Sequence, residues 1–123
     1  MIDFNSNSVF KLTRSKKHDT KIVEPLLIPG EEILSQYQTI RDSVTFTNKR
    51  IIALNVQGIT GKKKDYTSLP YSKIQAFSIE TAGTFDLDSE LEIYFSGLGK
   101  VKFEFSGENN ALEIGKLISE KIL

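Results

Sequence analysis

Apolar and polar residues alternate in two neighbouring stretches near the end of the chain. ELEIYFS, at residues 90–96, and KVKFEF, at residues 100–105, both place apolar residues at every second position. This period of two is typical of a β-strand with one buried and one solvated face. The stretch SGLGK between them, at residues 96–100, favours a short hairpin loop. The pattern therefore predicts a β-hairpin in which Glu92 and Lys102 meet across the two strands.

Strand-like sequence extends back to residue 32. Pro29 and Gly30, just before it, provide a turn signal. Short runs of β-branched and aromatic residues alternate there with turn residues, which is typical of consecutive strands. Seven strands are predicted, at about 32–40, 43–47, 50–56, 64–70, 74–81, 88–96 and 100–106.

The period changes at the end of the chain, in NNALEIGKLISEKIL. Asn110 followed three residues later by Glu113 suits a capping box at a helix start. One helical face then carries apolar residues, namely Ala111, Ile114, Ile118 and Ile122. We expect an amphipathic helix that packs its apolar stripe on one open end of the strands.

The first 24 residues differ from the rest, because basic residues are crowded and apolar residues are sparse. Val9, Phe10 and Leu12 are compatible with a short helix. The simplest interpretation is an N-terminal arm over 1–24 preceding a single domain over 25–123. A more specific alternative is a basic arm that binds an anionic partner.

Composition narrows the function classes. The 123 residues suit one domain, and sixteen basic residues balance sixteen acidic ones, so bulk charge predicts no nucleic-acid partner. The chain has no cysteine, which excludes disulfides, thiolate metal sites and cysteine catalysis. Neither a signal peptide nor a membrane span is expected from the apolar runs. Together these features favour a cytoplasmic protein.

Three blocks carry a family resemblance: GEEILSQYQTIRDSVTFTNKRII, QGITGKKKDYTSLPYSKI and FSIETAGTFDLDSELEI. In this order they resemble a bacterial pleckstrin-homology-like family, over roughly residues 28–122. The resemblance implies a mainly β fold, a pleckstrin-homology-like barrel of about seven antiparallel strands capped by a C-terminal α-helix. It also implies ring-like homo-oligomers, often pentamers, and no established reaction or ligand.

Few residues in the sequence are candidates for a catalytic or a metal site. His18 is the only histidine, and no Ser-His-Asp arrangement can be built around it. Asp86, Asp88 and Glu90 alternate, but an EF-hand counted from Asp86 lacks its glycine and its final glutamate. The spacing instead fits the solvated face of a strand. We therefore predict no enzyme, no catalytic residue, no cofactor and no metal site.

The stretch GITGKKK, at residues 58–64, looks at first like a phosphate-binding loop. A Walker loop needs four residues between its glycines, a Ser or Thr after its lysine, and a helix afterwards. This stretch has two residues between its glycines, no Ser or Thr in that place, and a predicted strand afterwards. It therefore predicts a β-turn with a basic tip. Lys62, Lys63 and Lys64 remain candidates for a weak anion or partner patch.

Two further turns bear on binding. In lipid-binding members of the wider superfamily the loop between the first two strands is long and basic, whereas Arg41 and Asp42 form a tight link here whose charges largely cancel. The usual phosphoinositide site is therefore expected to be absent. ETAGTFD reads as a turn between strands, or alternatively as an oligomer contact through Glu80, Gly83 and Asp86.

These features favour a non-enzymatic interaction module. It would assemble with itself and present a surface to a protein partner that the sequence does not identify. The alternative is a peripheral membrane or anionic-ligand binder that uses the basic turn at 62–64.

Overall fold

A computed structural model describes residues 1–6, 9–14, 19–85, 87–106 and 111–123. It contains eight strands and one α-helix, α1, over Ala111–Ile122. The strands are β1 Val9–Arg14, β2 Ile33–Gln38, β3 Asp42–Thr47, β4 Arg50–Gln57, β5 Lys63–Pro70, β6 Ile74–Glu80, β7 Ser89–Phe95 and β8 Gly99–Phe105. Short 3-10 turns lie at Thr20–Ile22, Glu24–Leu26 and Tyr71–Lys73.

The strands form one half-barrel sheet in the order β5-β4-β3-β2-β1-β8-β7-β6. All seven strands predicted between residues 32 and 106 are present, so the mainly β fold with a terminal helix is confirmed. Pairing from β2 through β5 and from β6 through β8 is antiparallel between neighbours in sequence, as short hairpin loops require. β5 and β6 are the two edge strands.

The extra strand β1 corrects the sequence prediction. The short helix expected at Val9, Phe10 and Leu12 was wrong, because these residues lie in a strand between β2 and β8. β1 pairs antiparallel with β2 but parallel with β8, so the sheet has eight strands and is not wholly antiparallel. Phe10 and Leu12 are buried on either side of exposed Lys11, which is the period of a strand.

Residues before position 24 also contribute to the core. Phe4 is buried and its ring meets that of Phe95 edge-on, with centroids 5.6 Å apart. Gln36, on β2, is fully buried and holds the backbone of Asp19: its Oε1 accepts from the Asp19 amide at 2.8 Å, and its Nε2 donates to the Asp19 carbonyl at 3.2 Å. The predicted arm over 1–24 is thus, in its described part, built into the domain.

The core lies between the inner faces of the sheet and α1. The alternating residues of β7 and β8 are buried as predicted: Leu91, Ile93, Phe95, Val101, Phe103 and Phe105. Tyr37 joins the two halves of the sheet, since its ring packs against Phe46 and Phe105. Full burial of each such side chain contributes about 1.5–3 kcal/mol.

The helix closes one end of the core. Ala111, Ile114 and Ile118 are buried on the predicted face, and Ile122 is half-buried against the same cluster. The predicted capping residue Asn110 lies outside the described residues. Gly115 brings α1 close to β6, because a methyl group at this position would collide with the Ile79 side chain.

The β7–β8 hairpin has the predicted register, with Glu92 directly opposite Lys102. Its ion pairs are nevertheless diagonal. Lys100 Nζ lies 3.4 Å from Glu92 Oε1, and Lys102 Nζ lies 3.4 Å from Glu90 Oε2. Exposed pairs of this kind contribute a few tenths of a kcal/mol. They therefore stabilise the hairpin slightly but do not determine its register.

Candidate functional site

The predicted basic residues lie at one end of the β4–β5 hairpin. Lys62 is in the loop at 58–62, and Lys63 and Lys64 are the first two residues of β5. All three are exposed, and no described residue forms an ion pair with them. Successive strand residues point to opposite faces, so the lysines spread around the tip rather than converging on one point.

The loop geometry agrees with a turn rather than a nucleotide-binding loop. Gly58 and Gly61 have φ values of +78° and +67°, in the left-handed region that glycine adopts readily. A strand follows, so no helix N-terminus is aimed at the space above the loop. The predicted basic connection is thus a five-residue hairpin loop, 58–62, between the antiparallel strands β4 and β5.

A second loop, at 39–41 between β2 and β3, is fastened to the first. Arg41 Nη1 donates to the Gly58 carbonyl oxygen at 2.8 Å, and the Val56 amide donates to the Arg41 carbonyl oxygen at 2.9 Å. Ile40 and Ile59, near the tips of the two loops, are both fully exposed. This pair is not predicted above, although an aliphatic residue inside a polar turn is a signal present in the sequence.

Arg41 and Asp42, whose opposite charges were expected to cancel largely, hydrogen-bond to different neutral groups. Arg41 reaches the neighbouring loop, whereas the Asp42 carboxylate accepts a hydrogen bond from Asn55 Nδ2 at 2.6 Å. The link itself is short, as predicted, with three residues between β2 and β3.

A cavity of about 290 Å³ opens beside these loops. Its walls include Asp42 and Asn55 from the hairpins and Thr67 from β5. The N-terminal residues form the remaining wall: the Ile2 amide donates to Thr67 Oγ1 at 3.1 Å, and the Met1 nitrogen contacts the Asp65 carboxylate. The polar part of the lining is therefore mainly acidic and amide, apolar residues such as Phe10 and Ala53 complete it, and Lys62, Lys63 and Lys64 do not line it.

A different surface lies along edge strand β6. A groove of about 480 Å³ separates β6 from α1 and is lined mainly by apolar atoms. Phe77 forms one wall, and Leu112, Gly115 and Lys116 form the other. Among the described residues no strand pairs with the outer edge of β6, so the groove runs beside backbone groups that lack a strand partner.

The predicted oligomer contact lies partly within the described residues. Glu80 ends β6 directly opposite Glu90, and Gly83 lies in the exposed loop that follows. Asp86 lies outside the described residues. An assembly role for Glu80, Gly83 and Asp86 stays a prediction.

Acidic groups cluster beside that loop on the outer face of β7 and β8. Partial burial raises the pKa of Glu104, as do hydrogen bonding with Asp88 and the nearby charge of Glu90, while Lys11 opposes these effects. Within the described ranges, no three His, Asp or Glu side chains gather as metal ligands would. No helix in the described part of the chain is long and apolar enough to cross a bilayer.

Comparison with known proteins places this geometry in a family. Residues 3–122 of the sequence match the family model described as bacterial PH domain. The uncharacterised Bacillus subtilis protein YjqA is 44% identical over 96 residues, covering 76% of this chain and 77% of YjqA. The uncharacterised YozO of the same organism is 34% identical over 114 residues, covering 93% of this chain and 96% of YozO.

Solved structures agree. A crystal structure of a protein with a pleckstrin-homology domain from Shewanella loihica is 35% identical and superposes with a TM-score of 0.78, covering 93% of this chain and 99% of that one. A pleckstrin homology domain from Shewanella amazonensis is 39% identical with a TM-score of 0.65, covering 85% of each chain. The chain therefore belongs to the bacterial pleckstrin-homology domain family.

Proposed function

We propose that this chain is a non-enzymatic interaction module that assembles with copies of itself into a ring and presents a surface to a protein partner in the cytoplasm. The observation that supports assembly most is the free edge of β6. Unpaired N–H and C=O groups on an edge strand are a template for pairing with another chain.

The two edges of the sheet differ in how well they are protected. β5 carries Lys63 and Lys64 at its start and Pro70 at its end, which are residues that discourage edge pairing. β6, with the sequence IQAFSIE, contains no lysine and no proline. Pairing β6 of one copy to a different surface of the next is a heterologous contact, which closes into a ring when the rotation per copy permits.

The groove beside β6 supports the second part of the proposal. An extended peptide that added to β6 would gain main-chain hydrogen bonds and could place alternate side chains against Phe77 and Leu112. A single β6 edge accommodates one strand at a time. Self-assembly through β6 and peptide capture at β6 would therefore compete.

Light scattering combined with amide hydrogen exchange tests the assembly. We expect a mass above the monomer at micromolar concentration, and protection of β6 amides that increases with concentration while β3 amides stay unchanged. Lysines at Ala76 and Ser78, both exposed on β6, should return the protein to a monomer. The matched control, Tyr94→Lys on the neighbouring inner strand β7, should leave the mass unchanged. A wild-type monomer at these concentrations would refute the proposal.

A further inference from the structure

The free edge of β6 ends in an acidic corner. Glu80, the last residue of β6, lies directly opposite Glu90 on β7. Glu90 has a partner of its own, since its Oε2 lies 3.4 Å from Lys102 Nζ. Glu80 is exposed and forms no ion pair within the described residues. Like charges directly opposite one another destabilise a pair of strands, so this corner is complementary to a cation.

Successive residues of β6 have different surroundings. Phe77 and Ile79 face α1, because a methyl group at Gly115 would collide with Ile79 and lie 3.7 Å from Phe77 Cε2. Ser78 and Glu80 lie on the opposite face and are exposed. A strand that paired with the free edge of β6 would alternate in the same way. Its side chains would enter the groove beside α1 and cover the outer face in turn.

The groove itself favours neutral side chains. Its volume of about 480 Å³ is lined mainly by apolar atoms, including those of Phe77 and of Leu112, which is 54% exposed. Lys116 and Glu120 also line it, but their charges are opposite and four positions apart on α1. The volume lies within the range of about 300–1,000 Å³ that is typical of ligand-binding clefts. Apolar side chains of a partner would therefore fit the groove, while the acidic corner lies at the end of its edge strand.

The β7–β8 pair provides an internal precedent for this division of charge. Lys102 lies on the outer face beside Glu90, whereas Phe103 and Phe105 alternate with it and are buried on the inner face. A strand that carries a basic residue followed by alternate apolar residues is thus already accommodated by β7 in this sheet.

We propose that the β6–α1 groove binds an extended peptide that carries a lysine or arginine, followed one and three positions later by apolar residues. The peptide pairs antiparallel with β6, the slightly more stable arrangement, and its basic residue lies opposite Glu80. The apolar residues lie opposite Ile79 and Phe77 and enter the groove. Main-chain hydrogen bonds supply affinity, and the alternate side chains supply selectivity. This inference rests on the proposed function, because it names the class of protein partner that β6 takes.

Fluorescence anisotropy with a defined probe tests the apolar contact. The probe is a labelled octapeptide of threonines with one lysine, a phenylalanine directly after it, and a valine two positions further on. We expect saturable binding to the wild-type chain, weakened at least about fivefold by Leu112→Ser. Leu98→Ser is the matched control, since Leu98 is 50% exposed in the β7–β8 loop, and it should bind as the wild type does. Equal affinity of all three proteins would overturn the proposal.

A second probe, with glutamate in place of the lysine, tests the acidic corner. It should bind the wild type about threefold more weakly than the lysine probe at low salt, and the difference should shrink as salt rises. Glu80→Lys should abolish or reverse this preference. Glu24→Lys makes the same change of net charge at an exposed position elsewhere and should preserve it. A preference unaffected by Glu80→Lys would overturn the assigned register.

N-methylation of the lysine probe tests the strand pairing. Alternate amides of a strand point towards its neighbour, so methylation of one alternate set should abolish binding and methylation of the other should not. Retention of binding by both methylated probes would overturn the proposal.

Light scattering on the same samples separates this inference from self-assembly. Saturating probe should lower the mass of an assembled wild type, because one edge accommodates one strand. A monomeric wild type that binds the probe would refute assembly and support the peptide site. An assembling wild type that fails to bind the probe, even when diluted to the monomer, would overturn the peptide site and leave the β6 edge to a second copy.

Discussion

Glu31 and Arg50 form a bidentate ion pair that joins the segment before β2 to the start of β4. Glu31 Oε1 lies 2.9 Å from Arg50 Nη2, and Arg50 Nε donates to Glu31 Oε2 at 2.9 Å. Thr47 Oγ1 donates to Glu31 Oε2 at 2.7 Å, and Arg50 also donates to the Leu26 carbonyl. The Glu31 side chain is fully buried, so its charge depends on these donors.

Breaking this pair should destabilise the protein. Arg50→Met leaves the buried Glu31 carboxylate without its main donor, and we expect the free energy of unfolding to fall by about 3–5 kcal/mol. Combining Glu31→Leu with Arg50→Met removes both charges and should recover most of that loss. Urea unfolding at neutral pH measures both. A loss below about 1 kcal/mol for Arg50→Met alone would contradict a structural role for the pair.

The same pair predicts a pH dependence. Burial alone raises the pKa of Glu31, but hydrogen bonds from Arg50 and Thr47 and the Arg50 charge outweigh it, and the net pKa is lowered from 4.5. A lowered folded-state pKa gives stability that is complete above the unfolded-state value and is lost as pH falls through the folded-state value. Glu31→Gln should therefore flatten the acid limb of the stability–pH curve, and an unchanged limb would assign acid unfolding to other groups.

Gln36 should be more sensitive to substitution than Gln38 on the same strand. Gln36→Met keeps the size of the buried side chain but leaves the amide and carbonyl of Asp19 without their partners, at a cost of about 1–3 kcal/mol. Amide exchange at Asp19 should accelerate as well. Gln38→Met, a half-buried position on the same strand, is the control and should change stability little. Equal effects at both positions would show that this tie is unimportant.

Gly99 allows residues 1–6 to pack closely on the β7–β8 hairpin, because it has no side chain. Its φ is +123°, and a Cβ there would lie 2.7 Å from the Phe4 carbonyl oxygen. Gly99→Ala should therefore cost about 2–3 kcal/mol, from backbone strain together with the clash. Gly97→Ala is the matched control, because its φ is +80° with nothing within 4 Å of the added methyl group, and it should cost less.

Deleting residues 1–6 distinguishes the clash from the strain. In that background the excess cost of Gly99→Ala over Gly97→Ala should shrink, since the clash with Phe4 is gone and only backbone strain remains. Thermal unfolding of the parent and the two glycine variants, each with and without residues 1–6, supplies the comparison. An undiminished excess would mean that the N-terminal residues do not pack on Gly99.

Glu104→Gln should stabilise the protein at neutral pH. Glu104 lies directly opposite Glu90 and beside Asp88, and its pKa is raised by burial and by these groups. A carboxyl group with a raised folded-state pKa costs stability as pH rises through that value, so neutralising it should yield roughly 0.5 kcal/mol at neutral pH.

The gain from Glu104→Gln should disappear in acid, where the native carboxyl group is already protonated. Melting temperatures of the wild type and the variant at neutral and at acidic pH measure this gain. Glu92→Gln is a suitable control, because it removes a residue paired with Lys100 and should bring no gain. A gain of equal size at both pH values would point to packing instead of charge.

The sequence predicted the strands whose partners are close in the chain. The hairpin of β7 and β8 followed from strict alternation, and its register followed from the length of the loop between them. β1 was missed because its apolar positions are few and its partner β8 lies at the far end of the chain. Local periodicity carries no information about such a pairing.

The two loops at 39–41 and 58–62 show the same limit. Lys62, Lys63 and Lys64 were visible in the sequence as a basic cluster. The sequence could mark Ile40 and Ile59 separately, as aliphatic residues in polar turns, but Arg41 joins their loops only in the folded chain. Adjacency is a tertiary property, so one sequence could not have identified them as a pair.

The position of β1 also bears on the order in which the sheet can be completed. Thr13 and Ser106, which hydrogen-bond at the end of the β1–β8 pair, are separated by 93 positions in the chain. The ribosome must therefore release the chain through β8 before β1 can pair with it. Contacts this distant slow folding, because loop closure precedes the contacts that compensate for it. We expect the complete sheet to form only after β8 has left the ribosome, whereas the local hairpins of β2 to β5 can form earlier.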